Sequence, residues 1–174
     1  GTIGGAVRMN AGAYGGEIKD IIVSAEVLDQ NGDIHTLGKD ELELGYRTSC
    51  IMKYGYIVVS ATLKLSKGNT DEIKENIKEL SQKRRMKQPL EYPSAGSTFK
   101  RPEGYFAAKL IEDAGLKGLS AGDAQVSEKH AGFVVNKGRA TAKDVCELTD
   151  KIKEEVLKKS GVKLELEVVK IGEF

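Results

Sequence analysis

The sequence has no tryptophan and only two cysteines, Cys50 and Cys146, which stand far apart and outside any C-x-x-C pair. So little sulfur excludes a disulfide-stapled scaffold and a thiolate zinc site. It suits a reducing compartment, and a cytoplasmic protein is expected. Neither sign of charge is in excess: 27 Lys and Arg stand against 26 Asp and Glu. A nucleic-acid or membrane-surface partner is therefore not expected, since such proteins carry a basic surplus. No apolar run approaches the roughly 20 residues of a membrane span. The two histidines, His35 and His130, have no partner at ligand spacing, so no metal is expected. Proline is scarce as well. All three, Pro89, Pro93 and Pro102, fall in one stretch, and elsewhere the backbone is free to form regular elements.

Glycine is plentiful instead, above all in the opening "GTIGGAVRMNAGAYGGEI", where six of the first sixteen residues are glycine. The pattern is neither a dinucleotide G-x-G-x-x-G between strand and helix nor a P-loop with its Gly-Lys-Ser/Thr. Two readings stay open on these residues. One is a pair of tight turns at positive φ. The other is bare backbone brought against a flat or phosphorylated cofactor.

The rest of the chain reads as α+β. "IKDIIVSAEVLDQNGDIHTL" predicts two strands joined at Asn31-Gly32 by a type I′ turn. Residues 56–65 predict a strand. The polar stretch 66–70 suggests a domain boundary, giving domains of 1–66 and 67–174. Ile73, Ile77 and Leu80 then fall at helical spacing, with Asn69 or Thr70 as N-cap and an end before Pro89. "YFAAKLIEDAG" predicts a helix closed by Gly115, and strand material lies around residues 136–138. Thr141, Asp144 and Gly161 frame an amphipathic helix with an apolar stripe of Val145, Leu148, Ile152 and Val156. "VKLELEVVKI" predicts a closing strand.

Several short stretches could carry chemistry. "GYRTS" presents Tyr46 and Arg47, either as surface residues or as a guanidinium clamp for a carboxylate or phosphate. "SAGSTFKRP" places Ser97 after a glycine in a proline-bounded loop, a turn serine unless partners are found. "QKRRMKQP" gathers cations at a helix end, which the helix dipole favours, or offers a landing site for an anion. Glu165 and Glu167 of "LELEV" share one strand face.

Taken together and in order, "GTIGGAVRMNAGAYGGEI", "GYRTS", "KQPLEYPSAGSTFKRP", "AGLKG…VSEKHAGFVVN", "ATAKDV" and "LELEVVKIGE" resemble the UDP-N-acetylenolpyruvoylglucosamine reductases over the whole chain. "LKLSKGN" runs directly into "TDEIKENI", which matches the short form of that family, without its extra substrate loop. The resemblance implies a flavoenzyme of cell-wall precursor synthesis. NADPH reduces FAD, and the enolpyruvyl ether of UDP-N-acetylglucosamine enolpyruvate then becomes UDP-N-acetylmuramate. It implies FAD contacts at Thr2, Gly4, Gly5, Asn10 and Gly12. It also implies catalytic roles for Arg47, Ser97 and Glu167, and substrate contacts at Tyr46, Lys87 and Arg101. In the family a preceding segment grips the FAD. The expectation is therefore a C-terminal piece: the later part of an FAD-binding domain over 1–66, then a substrate-binding domain over 67–174, inactive when isolated. Two departures stand out. Gly122-Asp123-Ala124 replaces the family's usual Gly-Gly-Ala, and Arg8 takes a position that is often bulky and neutral. A non-catalytic nucleotide- or flavin-binding module is the rival reading. It would keep the loop and lose the Arg, Ser and Glu, all of which are present.

Overall fold

The computed structural model describes residues 1–172; Glu173 of the terminal motif lies outside the described residues. The fold is α+β, with every sheet antiparallel. It divides into two compact units, Gly1–Asn76 and Ile77–Phe174.

In the first unit Thr2 caps a short helix, α1 (Ile3–Arg8), and a two-stranded ribbon follows, β1 (Gly12–Ala13) and β2 (Gly16–Glu17). Next come β3 (Ile22–Leu28), β4 (Ile34–Gly38), α2 (Cys50–Tyr54) and β5 (Ile57–Leu63), with sheet order β4-β3-β5. A register shift between Ile22 and Ser24 changes the phase of β3. Ile22, Ala25 and Val27 can therefore all face the core, although they do not alternate strictly. Val7, Leu42, Cys50 and Ile51 complete that core. The buried Ser49 hydroxyl donates to the Arg8 carbonyl at 2.5 Å and ties the end of α1 to the start of α2.

The predicted β3–β4 hairpin forms, but not through a type I′ turn. Of its loop residues only Gly32 has positive φ, at 90°. The Asp29 carboxylate accepts from the amides of Asn31 (2.8 Å) and Asp33 (3.0 Å), and this local bonding sets a wider loop. The positive-φ pair lies instead in the β1–β2 ribbon, at Tyr14 (54°) and Gly15 (90°).

The helix α3 (Thr70–Lys87) follows, capped by Asn69, whose Oδ1 accepts from the Asp71 (2.9 Å) and Glu72 (3.3 Å) amides. It buries no residue, and its Ile73, Ile77 and Leu80 stripe is exposed.

The second unit holds β6 (Ser94–Ser97), α4 (Ala107–Asp113), β7 (Ser120–Ala121), β8 (Ala124–Val126), β9 (Phe133–Asn136) and α5 (Ala142–Ser160). Its sheet order is β6-β9-β8-β7. Thr141 and Asp144 form the predicted capping box of α5, and Gly161 closes it at φ 71°. Leu148, Ile152 and Val156 are fully buried with Ile111, Val126 and Leu164. β9 stops at Asn136 because its Oδ1 accepts from the Gly138 and Ala140 amides and turns the chain. Residues 137–138 are therefore not strand.

The predicted closing strand is reduced to a single bridge, Phe99 with Leu166. The Lys100 amide donates to Glu165 (2.8 Å) and the Glu167 amide to Thr98 (2.9 Å). In this register the next rung would need an N–H from residue 102, which is proline. In the other direction it would need extended backbone at Gly96, whose φ is 84°. Both exits are blocked, so no ladder propagates.

Candidate active site

The first unit presents Tyr46 and Arg47 at the tip of a tight turn. Gly45 N–H donates to the Thr48 carbonyl (3.1 Å) and Thr48 N–H to the Gly45 carbonyl (3.4 Å). Arg47 sits at φ 54°, a left-handed conformation that costs about 1 kcal/mol or more for a residue with Cβ. Its Nη2 donates to the Gly12 carbonyl at 3.4 Å, and its guanidinium lies 5.3 Å from the Tyr46 ring centroid. Gly12 has no room for a side chain: a Cβ there would lie 2.6 Å from Glu17 Cγ and 2.7 Å from the Gly16 carbonyl oxygen. Gly12, Gly15, Gly16, Glu17, Tyr46 and Arg47 line part of a cavity of about 310 Å³. The Glu17 carboxyl is held below the usual carboxylate range, first by hydrogen bonds from Lys19 and Asn10 and also by the charge of Arg47.

The expected cofactor residues fall on the same unit. Thr2 Oγ1 accepts from Gly5 N–H at 3.1 Å. A Cβ on Gly4 would meet Val58 at ordinary contact, 3.5 Å. Asn10 is buried and bonded on both sides of its amide. Gly16 differs from its neighbours, for its φ is not positive and a Cβ there would meet nothing within 4 Å. Nothing within the chain demands glycine at Gly16. The bare backbone at Gly16 leaves room for a flat group to lie against it.

Ser97 and Glu167 both lie in the second unit. Ser97 ends β6, opposite Phe133, and is exposed. Its neighbour Thr98 is buried, and Thr98 Oγ1 accepts from Val134 N–H at 3.0 Å, which pins the strand end. The Phe99–Leu166 bridge sets half-buried Glu167 directly across from Thr98, the residue after Ser97. Lys87 is the last residue of α3, and the Arg101 guanidinium stacks 4.0 Å from the Phe106 ring centroid.

Sequence reasoning dismissed His130 as a ligand and passed over Lys117. The structure gives both a setting. His130 Nδ1 accepts from Gly132 N–H at 3.1 Å, which leaves the proton of the neutral ring on Nε2. Phe133 packs edge-on at 5.0 Å. Burial lowers the His130 pKa, and the charges of Lys117 and Lys87 push the same way. Glu112 opposes them, so His130 lies among charges of both signs. The "KHAGF" stretch was the available signal, but no spacing rule marks it.

A model of the C-terminal domain of UDP-N-acetylenolpyruvoylglucosamine reductase matches residues 88–171. Over its whole length the chain is similar to reductases of this name. The reductase of Clostridium tetani is 61% identical over 173 residues, covering 99% of this chain and 56% of that protein. That of Agathobacter rectalis is 63% identical over 174 residues, 100% of this chain and 55% of that protein. Among solved structures, the crystal structure of the reductase (MurB) from Thermus caldophilus superposes with a TM-score of 0.81 at 40% identity, covering 94% of this chain and 58% of that one. The chain thus spans about half the length of the curated reductases it matches.

Proposed function

We propose that the protein containing this chain reduces the enolpyruvyl ether of UDP-N-acetylglucosamine enolpyruvate to UDP-N-acetylmuramate, in the cytoplasm, for peptidoglycan precursor synthesis. The observation that carries this reading is the alignment of essentially the whole chain with named reductases at about 60% identity. Residues 1–66 are assigned to the later part of an FAD-binding domain and 67–174 to the substrate domain. The remaining length of the relatives would supply the other half of the cofactor site. FAD, when bound, would accept hydride from NADPH and supply it to the substrate. Thr2, Gly4, Gly5, Asn10 and Gly12 would hold it.

The chain's own residues do the rest. Adding hydride to a vinyl carboxylate pushes charge onto that carboxylate. Arg47 presents a fixed guanidinium to this charge, which is worth more in the transition state than in the ground state. Its turn holds it without a long flexible search. Ser97 holds a proton for the adjacent carbon, and Glu167 orients the substrate carboxylate. Tyr46, Lys87 and Arg101 take the remaining carboxylate and phosphate contacts.

The test is anaerobic stopped-flow on the full-length protein. NADPH should bleach the flavin, and the enolpyruvyl substrate should restore its absorbance. A flavin that is reduced but never reoxidised by that substrate would overturn the proposal in favour of a binding module.

A further inference from the structure

We propose that Asn10 is a positioning residue for the Tyr46–Arg47 turn, an inference that rests on the reading of Arg47 given above. Asn10 is 1% exposed and takes the left-handed conformation, at φ 46°. Its amide is used on both sides. One Nδ2 proton goes to Glu17 Oε2 at 2.8 Å and the other to the Gly45 carbonyl at 3.0 Å, while Oδ1 accepts from Lys19 N–H at 2.9 Å. Both donors of the side chain are thereby spent on protein.

The partners matter more than their number. The Gly45 carbonyl is the group that accepts from Thr48 N–H to close the Tyr46–Arg47 turn. Glu17 belongs to β2, across from Gly12, and the Gly12 carbonyl takes the Arg47 guanidinium. One buried amide therefore fixes the base of the turn and the strand facing its tip. The arginine is held at both ends, and the cavity it lines keeps its shape. A buried amide of this kind does more than fill space, because losing its donors frees the turn without removing volume.

Asn10→Asp makes that cut. The shape and the acceptor for Lys19 remain, but both donors become a carboxylate oxygen facing Glu17 and a carbonyl. Lowering the pH returns a proton to this carboxylate pair and restores one O–H donor. In the full-length protein, the variant-to-wild-type rate ratio should fall further for reoxidation by the substrate than for flavin reduction by NADPH. For reoxidation by the enolpyruvyl substrate it should fall about 10-fold or more near about pH 8, within the roughly 10²-fold that a 1 Å misplacement costs. It should recover towards about pH 6. The Arg47 Nε–Hε signal in ¹⁵N NMR should shift or broaden in the variant. Equal slowing of both half-reactions, or an Arg47 signal identical to wild type, would overturn the proposal. If Asn10→Asp does not fold, Asn10→Ser removes the same donors and is read in the same two ways. Arg47→Ala separates the two inferences. If that change leaves reoxidation untouched, it is the reading of Arg47 that fails, and the Arg47 signal alone then decides for or against Asn10.

Discussion

A serine hydroxyl is a poor acid, so its use as a proton donor demands a strongly basic partner and a fixed position. Beside Ser97, the buried and bonded Thr98 holds the strand end, while Ser97 itself is exposed. Ser97→Ala should leave flavin reduction by NADPH unchanged and slow reoxidation by about 10²–10⁴-fold, the range of general acid catalysis. Stopped-flow of each half-reaction checks this, and equal slowing of both would make Ser97 architectural. Arg47→Lys keeps the charge and loses the planar fork. Reoxidation should fall by roughly 10²-fold, on the scale of one oriented donor, and unchanged rates would demote Arg47 to a turn residue. Little at this scale was legible from composition or spacing. Arg47, Ser97 and Glu167 were named through resemblance, since a lone residue of each type has bland explanations. The Asn10 network was invisible because its partners lie up to 35 positions away.

At the scale of elements, the legible ones carry their signals locally. α5 has a capping box, a closing glycine and a clean stripe, and all three were found in place. Thr141→Ala should destabilise the second unit by about 1 kcal/mol, measurable by denaturant titration. Hydrogen bonds from the Thr141 backbone and hydroxyl hold the Asp144 carboxyl below its ordinary value of 3.8. Its folded pKa is thus the lower one. The cap's contribution is complete above that ordinary value and is lost as pH falls through the folded one. Asp144→Asn should flatten this acid limb of the unfolding curve. Helix α1 was not legible, because Gly4 and Gly5 are poor helix formers and the turn is held by the Thr2 cap, buried Val7 and the distant Ser49. The closing strand misled for the opposite reason. Its own pattern is good, but a strand needs a partner, and Pro102 and Gly96 limit what that partner can give.

At the scale of the whole molecule, the two units carry different parts of the proposed chemistry: Arg47 with the glycine residues in one, Ser97 and Glu167 in the other. Among the described residues no helix is long and apolar enough to cross a membrane. The 174-residue chain alone, spanning about half its relatives' length, should not oxidise NADPH when FAD and substrate are added. Turnover near that of a full-length reductase would refute the division of labour proposed here. His130 makes a second prediction. Burial sets its pKa below the ordinary 6.5, so folding binds fewer protons than unfolding does. The second unit should lose stability as pH falls below about that value, and His130→Gln should reduce the loss.

The bridge that carries Glu167 has one more consequence. Beyond the buried Leu164, a segment tied to its sheet by two backbone hydrogen bonds can lift away without melting the core. In native-state hydrogen–deuterium exchange, the Glu167 and Lys100 amides should therefore label through a local opening of low free energy. The Val126 and Val134 amides, inside the sheet, should wait for global unfolding. The carboxylate assigned to the substrate would then ride on a hinged strip, and a bound substrate would reveal itself by slowing the deuterium uptake of that strip alone.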